Sequence, residues 1–340
     1  MTFEEIQLKA FDLTQRETRR LYASIADDYK TAMQNIDRQL RNVYLKILDD
    51  VPAEEYYNYM TKYNRLENLL EATKLEYMKA ARKAGGKIEE SSKLAISNLY
   101  YRQQYAVNWA TDAMAFVALN PKVIEVSVYG TPVTWGKLAE TYGAIEDYLP
   151  QSGTLLNELI TKRRPQVLAD IESTIRQGLI QGTGYKKTAR GIRDIMGTSM
   201  SNAERIVRTE SHRNMTAGNY AMKKAAQSEG VDARRMIVST LDTRTRPQSA
   251  QVDGRMEDEN GLFLYPNGER YKIPGNTGVP KYDINDRESV IMTVDGKPPE
   301  LRRGRDPVTG ETDIISYQSF DEWLDANNHK FNKSGRIVPK

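Results

Sequence analysis

The apolar periodicity of the first third of the chain is the feature that most limits its fold. Between residues 6 and 47, apolar side chains recur at mixed steps of three, four and more residues, the spacing of one face of a helix. Thr2 and Glu5 stand in the order of a capping box, and the pattern stops near Asp49, Asp50 and Pro52. These features predict a long amphipathic helix that ends before Pro52.

Two further periodic runs follow in the same region. One covers residues 56–84 and is expected to end at Gly85-Gly86, since paired glycines favour a break. The other covers residues 91–119 and is expected to end before Pro121, because the residue preceding proline is disfavoured in helical geometry. Three long helices joined by short turns predict a bundle or an extended helical arm.

The pattern changes after residue 120 and then becomes helical again. The alternating stretch VIEVSV, Val123 to Val128, and the turn residues 129–132 predict a small strand-containing linker or insertion over 121–153. Helices are then expected over 155–178 and 185–196, with joints at Gly182, Gly184 and Gly197. Ser201 and Glu204 form a second capping-box pattern, which predicts a new helix that runs to about Ser228 before Gly230.

Short β-prone runs dominate the sequence after Gly230. Turn residues separate the predicted strands at 235–241, 262–265, 271–273 and 289–294. The last 45 residues are polar, and we expect a short helix over 319–326 and a tail that lies on a surface or a partner. The predicted fold class is α+β, mostly α. The predicted domains are a long-helix region (1–120), the linker (121–153), a helical and small-β domain (154–295) and a polar tail (296–340).

Composition excludes several classes of site. The chain of 340 residues has no cysteine, so it forms neither disulfides nor thiolate metal sites, and its two histidines disfavour a histidine-rich zinc site. We therefore expect no metal and no cofactor. Acidic residues interrupt the start, MTFEEIQLKAF, and no run approaches the roughly 18 apolar residues of a membrane span. These features predict assembly in a reducing cytosol and no membrane contact.

The charge is unevenly distributed along the chain. Residues 155–255 contain 18 Lys and Arg against 10 Asp and Glu, whereas both flanking regions have a small acidic excess. This basic segment predicts either contact with DNA or another polyanion, or a solvated surface that neighbouring domains balance. The candidate contact residues are Lys186, Lys187, Arg190, Arg193, Lys223, Lys224, Arg234 and Arg235.

The stretch RIVRTESHR, residues 205–213, offers a candidate for proton transfer. Glu204, Arg208 and His212 are spaced by four residues and share one helix face. A catalytic interpretation makes His212 a general base that Glu210 or Glu204 orients. The structural interpretation, in which Arg208 and Glu210 tie this helix to a following loop, is favoured because no nucleophile accompanies the histidine.

The stretch LDTRTRPQSAQVDG, residues 241–254, is dense in polar side chains. It lacks the glycines of a phosphate-binding loop, and Ser249 lacks the flanking glycines of a nucleophile elbow. Arginine forks can hold such a loop in one shape by bonding carboxylates and carbonyls, while Pro247 and Gly254 set its turns. We therefore predict a structural arginine clamp and no catalytic residues.

These elements, in this order, resemble the phage Mu F-like or SPP1 gp7-like head morphogenesis family. The resemblance covers about residues 155–295 and is strongest over 205–254. The residues that match the family pattern, and that the resemblance assigns to the clamp, are Arg208, Thr209, Glu210, Asp242, Thr245, Arg246, Pro247, Gly254 and, downstream, Arg287.

The chain departs from the family pattern at three positions. Ser249 stands where relatives commonly have histidine, and Asp286 and Glu288 flank Arg287 where relatives commonly have two cysteines. A metal or redox centre that used those residues in relatives could not form here in the same way. The three replacements are interpreted as hydrogen-bonding groups in a cluster with Arg246 and Arg287, with binding of a hard cation such as Mg²⁺ or Ca²⁺ as the alternative.

The resemblance implies a minor head protein of a tailed bacteriophage. Such a virion protein would be present in few copies at the portal vertex and the capsid interior, and would contact portal, coat or scaffolding protein, its own copies and packaged DNA. The alternative is a sequence-independent DNA-binding protein that acts through residues 155–255. A transferase-like or toxin-like enzyme is disfavoured, because the tail beyond the domain is too short for an added catalytic fold.

Overall fold

A computed structural model describes residues 2–48, 51–111, 118–119, 121–129, 156–284, 286 and 288–340. Its contacts divide the chain into two compact units. The first unit contains the described residues of 1–18, 91–155 and 208–340, and the second those of 19–90 and 156–207. Each unit is therefore assembled from segments that are distant in sequence. The predicted domain boundaries at residues 120, 153 and 295 remain a prediction.

Ten α-helices and eight short strands lie in the described part of the chain. The helices are α1 (Phe3–Leu48), α2 (Tyr56–Thr61), α3 (Arg65–Thr111), α4 (Pro121–Tyr129), α5 (Leu156–Thr161), α6 (Arg164–Ile180), α7 (Tyr185–Ser228), α8 (Pro247–Ala250), α9 (Pro280–Asp283) and α10 (Phe320–Ala326). The strands are β1 (Ala233–Ser239), β2 (Phe263–Leu264), β3 (Arg270–Tyr271), β4 (Glu288–Val294), β5 (Leu301–Arg305), β6 (Thr312–Ser316), β7 (His329–Phe331) and β8 (Ile337–Pro339). This content confirms the α+β, mostly α fold class.

Helix α1 confirms the first predicted helix and its cap. The Thr2 backbone N–H donates to Glu5 Oε2 at 2.8 Å, and the Glu5 N–H donates to Thr2 Oγ1 at 3.2 Å. Along the helix, Ile25, Ile36 and Leu40 are fully buried, as the apolar pattern requires. The periodic stripe therefore faces protein along α1.

The predicted break at Gly85-Gly86 is wrong, because α3 runs through it without interruption for 47 residues. A Cβ atom at Gly85 would lie 2.8 Å from Ile160 Cγ2 of α5, so this glycine permits close helix packing instead of ending the helix. The chain breaks earlier, where Tyr63 and Asn64 adopt left-handed φ values of 57° and 56°.

The strand predicted for Val123 to Val128 is also wrong, since these residues belong to α4. Pro121 starts the helix, a position that its fixed φ favours. Val123 and Val126, one turn apart, are completely buried, so the apolar residues pack with helical spacing. The rest of the predicted linker, from residue 130, lies outside the described residues until Leu156.

The two helices predicted after Tyr185 are a single one. Helix α7 extends for 44 residues through Gly197 and through the predicted cap, and Ser201 Oγ donates to the Gly197 carbonyl at 3.0 Å as an internal helical bond. Buried Met196, Ala203 and Val207 continue one apolar stripe across the predicted joint, which explains why the helix persists. The predicted stop at Gly230 is confirmed, with a left-handed φ of 83°.

The predicted strands lie in the first unit. β1 and β4 pair antiparallel from Ala233 opposite Val294 to Ser239 opposite Glu288, and β2 pairs with β3. Beside the β1–β4 pair is a core of Ile237, Val252, Phe263, Tyr265, Tyr282 and Val290. On β4, the Gln7 side-chain amide donates to the Met292 carbonyl at 2.8 Å and accepts from the Met292 N–H at 3.1 Å.

The polar tail folds against the domain that precedes it. The predicted helix is confirmed as α10, whose N-cap Ser319 forms a complete capping box with Glu322. Phe320, Trp323 and Leu324 are buried with Leu241, and β5 forms a bridge from Gly304 to Leu241. The tail therefore supplies part of the core next to the loop at 241–254.

Candidate functional site

Asp242 is the first residue of the loop at 242–254 and follows shortly after β1. Its side chain is the first of the groups that hold the loop. This buried carboxylate accepts from the Arg244 backbone N–H at 2.9 Å and from Arg244 Nη2 at 2.9 Å. Thr245 Oγ1 donates to the Thr240 carbonyl at 2.5 Å. Asp242 and Thr245 thus close a tight polar turn, as expected of a loop held by side-chain hydrogen bonds.

The second half of the loop contains α8 and a reversal. Pro247 begins α8 and Gly254 has a φ of 73°, a left-handed conformation that suits glycine. The Gly254 N–H donates to the Ile237 carbonyl at 2.8 Å, which returns the chain to β1. Both residues therefore act in the turn geometry that the sequence predicted.

Asp253 is the most connected carboxylate of this loop, although it is not among the residues predicted for the clamp. Its oxygens accept from Arg302 Nη1 and Nη2 at 3.0 and 2.9 Å, from the Ser239 N–H at 2.6 Å and from the Phe320 N–H at 2.8 Å. Arg302 also donates to the Ser239 carbonyl at 2.6 Å. The arginine that holds the loop thus comes from the tail, a partner that local sequence could not indicate.

A buried group of titratable side chains lies behind α8. His212 Nε2 is 2.8 Å from Asp286 Oδ2, and the Glu288 N–H donates to Asp286 Oδ1 at 2.9 Å. Tyr265 donates its hydroxyl to Glu288 Oε2 at 3.0 Å, and the Glu288 carboxyl also faces buried Ser249. The three positions that depart from the family pattern are therefore brought into one neighbourhood, together with His212.

Burial determines the protonation of this group. It raises the pKa of Glu288 well above its usual value, and the charge of Asp286 adds to the effect. Burial alone would lower the pKa of His212, but the charge and hydrogen bond of Asp286 outweigh it and raise that pKa. The fold therefore shifts both His212 and Glu288 toward their protonated forms.

The structure describes only one of the two arginines of the predicted cluster. Arg246 is half-buried, and its Nε and Nη2 atoms make no hydrogen bond within the part of the chain that the structure describes. Arg287 lies outside the described residues. A clamp formed by these two side chains stays a prediction.

The RTE motif lies on α7, with Arg208 exposed, Thr209 half-buried and Glu210 buried. Glu210 Oε2 accepts from Arg213 Nε and Nη2 at 3.1 and 2.7 Å, and Arg213 donates to the Ser127 carbonyl of α4 at 2.5 Å. Glu210 thus orients Arg213, which binds α4. Arg213 was not predicted as a site residue, because the sequence predicted a strand where α4 lies.

Metal binding finds no support in the described residues, among which no group of three or more His, Asp or Glu side chains could hold an ion. The carboxylates of Asp286 and Glu288 instead bond the backbone and Tyr265. The same described residues include no helix that is long and apolar enough to cross a membrane.

The structure corrects two of the basic candidates for polyanion contact. Lys223 and Arg235 are buried and pair with Glu257, at 2.7 Å from Nζ and 2.8 Å from Nη2. Burial lowers the pKa of Lys223, and the Arg235 guanidinium lies 4.7 Å from the Tyr220 ring centre. These two charges are satisfied inside the first unit because strand β1 packs against α7, so they do not reach a partner.

The remaining six basic candidates fall into two groups. Arg234 is exposed but lies 3.4 Å from Asp232, and half-buried Lys224 lies 5.8 Å from the Tyr220 ring centre. Lys186, Lys187, Arg190 and Arg193 are exposed on the first turns of α7 in the second unit. We call these four residues the basic stripe.

Two comparisons with known proteins agree in pointing to phage proteins. The family model for Phage Mu protein F like proteins matches residues 169–287. The chain is 29% identical over 273 residues to the minor head protein GP7 of Bacillus phage SPP1, a match that covers 80% of this chain and 82% of that protein. No solved structure matches the chain.

Two bacterial proteins are similar over shorter stretches. An NAD(+)–arginine ADP-ribosyltransferase, EFV, of Enterococcus faecalis strain V583 is 29% identical over 185 residues, which are 54% of this chain and 37% of that protein. An uncharacterized protein of Haemophilus influenzae strain Rd is 26% identical over 168 residues, 49% of this chain and 33% of that protein. Each match leaves about two thirds of the bacterial protein uncovered.

Proposed function

We propose that the chain is a member of the phage Mu F-like and SPP1 gp7-like head morphogenesis family and a low-copy structural protein of a tailed-phage head. It would act in head assembly at the portal vertex and the capsid interior. The observation that carries the proposal is the match to the SPP1 minor head protein, which extends over 82% of that protein.

The described helices support such a role. Helices α1, α3 and α7 have 46, 47 and 44 residues, and each presents many exposed positions to potential partners. The buried titratable side chains behind α8 stabilise the fold and do not form an open reaction site, since their carboxylates are buried and hydrogen-bonded. Portal, coat or scaffolding protein are the partners that we propose for these helices.

Purified particles of the phage that encodes the chain provide the test. We expect the protein to sediment with DNA-filled heads after the tails are removed. A reconstruction calculated without imposed icosahedral symmetry should place it near the portal. Absence of the protein from heads, or its recovery with tails alone, would contradict the proposal.

DNA contact is a second proposed function, and the basic stripe supports it. Among the described residues, none of its four side chains forms an ion pair with a carboxylate, in contrast to Lys223, Arg234 and Arg235. Lys186, Arg190 and Arg193 share one face of α7 because they are spaced by four and three residues. The positive end of a helix dipole adds to this charge. Phosphates of double-stranded DNA are the proposed ligand.

A salt series of mobility shifts tests the DNA contact. Lys-to-Gln and Arg-to-Gln changes at all four stripe positions should reduce the salt slope of binding by about three to four units, roughly 0.9 for each phosphate that is no longer neutralised. The matched control replaces four exposed arginines of α1, namely Arg16, Arg19, Arg20 and Arg38, with glutamine. Equally weakened binding in both variants, or wild-type binding that salt does not change, would exclude the stripe as the DNA-binding surface.

The similarity to an ADP-ribosyltransferase calls for a direct test of activity. We propose that the chain has a structural role, because the match leaves most of that enzyme uncovered. Incubation with labelled NAD⁺ and an arginine-rich acceptor protein should give no label transfer. Transfer that disappears in a folded His212→Gln or Glu288→Gln variant would instead identify the chain as an enzyme.

A further inference from the structure

Two exposed Asn-Gly steps of the first unit, Asn260-Gly261 and Asn267-Gly268, lie in turns of the same backbone design. In both, the glycine N–H donates to the carbonyl three residues earlier, at 2.8 and 3.0 Å. The N–H of that earlier residue donates to the carbonyl four residues later, at 2.9 Å in each turn. Both glycines are left-handed, with φ values of 74° and 84°, as in a short hairpin loop that ends in glycine.

The side-chain amide of the second asparagine is held at both of its ends. Asn267 Nδ2 donates to the Tyr271 hydroxyl at 2.9 Å, and Asn267 Oδ1 accepts from the Glu269 N–H at 3.2 Å. Because the amide offers these atoms as donor and acceptor, any rotation of its plane breaks both bonds.

The side-chain amide of the first asparagine is not held in this way. The backbone N–H two residues after Asn260 belongs to Leu262, and it donates to Asp258 Oδ1 at 2.9 Å. The aspartate therefore takes the donor that corresponds to the Glu269 N–H of the other turn. Among the described residues, no partner binds the exposed Asn260 amide, so it is free to rotate.

An asparagine that precedes glycine can lose its amide without an enzyme. The backbone nitrogen of the glycine gives up its proton and attacks the side-chain carbonyl carbon, the C–N bond of the amide breaks, and ammonia leaves. Water then opens the resulting succinimide ring to aspartate or isoaspartate. Glycine permits the attack because it has no Cβ atom to obstruct it.

From the contrast between the two turns we propose that Asn260 is a site of spontaneous deamidation in the folded protein, whereas Asn267 is protected. The backbone of the two sites is alike, so the restraint of the side chain decides between them. The reaction places a new carboxylate at position 260. This inference is independent of the function proposed above.

The modification reaches a buried contact. The Gly261 carbonyl accepts from Arg235 Nη2 at 3.0 Å, and Arg235 is completely buried. Isoaspartate at position 260 lengthens the main chain by one carbon atom directly before Gly261, which displaces this carbonyl from the guanidinium. A buried donor that loses its acceptor destabilises the fold, so the aged protein should melt at a lower temperature than the fresh one.

Peptide mapping of the full chain tests the proposal. The folded protein is incubated in mildly alkaline buffer and then digested with trypsin, which releases residues 256–270 as one peptide that contains both asparagines. Tandem mass spectrometry then assigns the gain of about one dalton to either position. We expect Asn260 to convert several-fold faster than Asn267 in the folded protein, and the two rates to become similar in urea. Similar rates in the folded protein, or faster conversion of Asn267, would overturn the proposal.

Two variants separate the restraint from other causes. Tyr271→Phe keeps the ring and removes the hydroxyl that holds Asn267, so it should raise the conversion of Asn267 and leave that of Asn260 unchanged. Asn260→Gln should age without the loss of melting temperature. An unchanged rate at Asn267 in the first variant, or an equal loss of melting temperature in the second, would contradict the assigned roles.

Discussion

At the scale of single residues, Asp253 shows how one carboxylate joins distant segments. It accepts hydrogen bonds from the end of β1, from the N-terminal residue of α10 and from Arg302 of β5. Its side chain is 2% exposed and that of Arg302 is 5% exposed. Because both charged groups are removed from water, the loss of hydration of each is offset by the opposite charge of the other.

Arg302→Ala should therefore destabilise the protein by about 3–5 kcal/mol, the usual cost of leaving a buried charge unpaired. Urea unfolding followed by circular dichroism measures this change. Arg234→Ala is the control, since Arg234 and Asp232 are both about half exposed and their pair should contribute less than about 1 kcal/mol. Similar effects of the two changes would show that Asp253 is not a structural centre.

His212 leads to a prediction about pH. Its pKa is raised in the fold, so its contribution to stability is complete below the unfolded value near 6.5 and is lost as pH rises through the raised folded value. The pKa of Glu288, which burial raises well above its usual value, acts in the same direction, because the fold favours the protonated form of this carboxyl. Thermal stability should therefore decrease from pH 6 to pH 8.5.

Asp286→Asn should flatten this decrease, because the imidazole then loses the charge that raises its pKa. His329→Gln, a change of the other histidine, should leave the decrease as in the wild type. Melting temperatures measured at both pH values distinguish the two variants. A wild-type protein that is more stable at pH 8.5 than at pH 6 would contradict the argument.

At the scale of elements, the glycines of α7 perform different tasks inside one helix. A Cβ atom at Gly218 would lie 2.7 Å from the Ile96 carbonyl oxygen of α3, whereas one at Gly197 would have no atom within 4 Å. The first glycine permits two helices to approach closely, and the second packs against nothing in the part of the chain that the structure describes. Glycine alone therefore did not indicate a helix end, which is why the break predicted at Gly197 was wrong.

Gly218→Ala should cost about 1–3 kcal/mol, the usual penalty of overpacking against a backbone that cannot move aside. Gly197→Ala, in the same helix, should stabilise the protein by up to about 1 kcal/mol, since alanine restricts the unfolded chain and favours a helix. Chemical denaturation of the two variants gives the comparison. An equal sign of the two changes would disprove the assigned packing role.

The predictions that succeeded rest on signals confined to one turn. The capping box at Thr2, the short helix over 319–326 and the stop at Gly230 need only neighbouring residues, and each is confirmed, whereas the capping box predicted at Ser201 lies inside α7. The prediction failed for VIEVSV, where tertiary packing of Val123 and Val126 decided between helix and strand. Likewise, the polar loop and its arginine requirement could be predicted, but its arginine, 49 residues downstream of Asp253, could not.

At the scale of the whole molecule, residues 296–340 belong to the fold of the first unit. They supply Phe320, Trp323 and Leu324 to the cluster around Leu241, and Arg302 to Asp253. The polar composition of this segment predicted a surface tail, but three large apolar residues within five positions are sufficient to anchor it. The loop at 242–254 and the tail therefore form one stable element.

Removal of residues 296–340 should make the first unit unstable, because Asp253 loses its charge partner and Leu241 loses its cover. We expect the truncated chain to be largely insoluble or rapidly digested by trypsin at dilutions that leave the full chain intact. Removal of residues 332–340 alone is the control and should be tolerated better, since Arg302 and α10 remain. Equal protease resistance of the full and truncated chains would contradict this assignment.

The side chain of Gln7 covers part of the edge of strand β4, which the residues of the strand do not do themselves. By pairing with both the N–H and the carbonyl of Met292, the amide occupies the hydrogen-bonding groups that another strand would use. An unprotected edge of this kind is a template on which chains join into aggregates. These groups of Met292 are thus covered by a helix residue 285 positions away, so a change at Gln7 should leave them open to pairing with another chain.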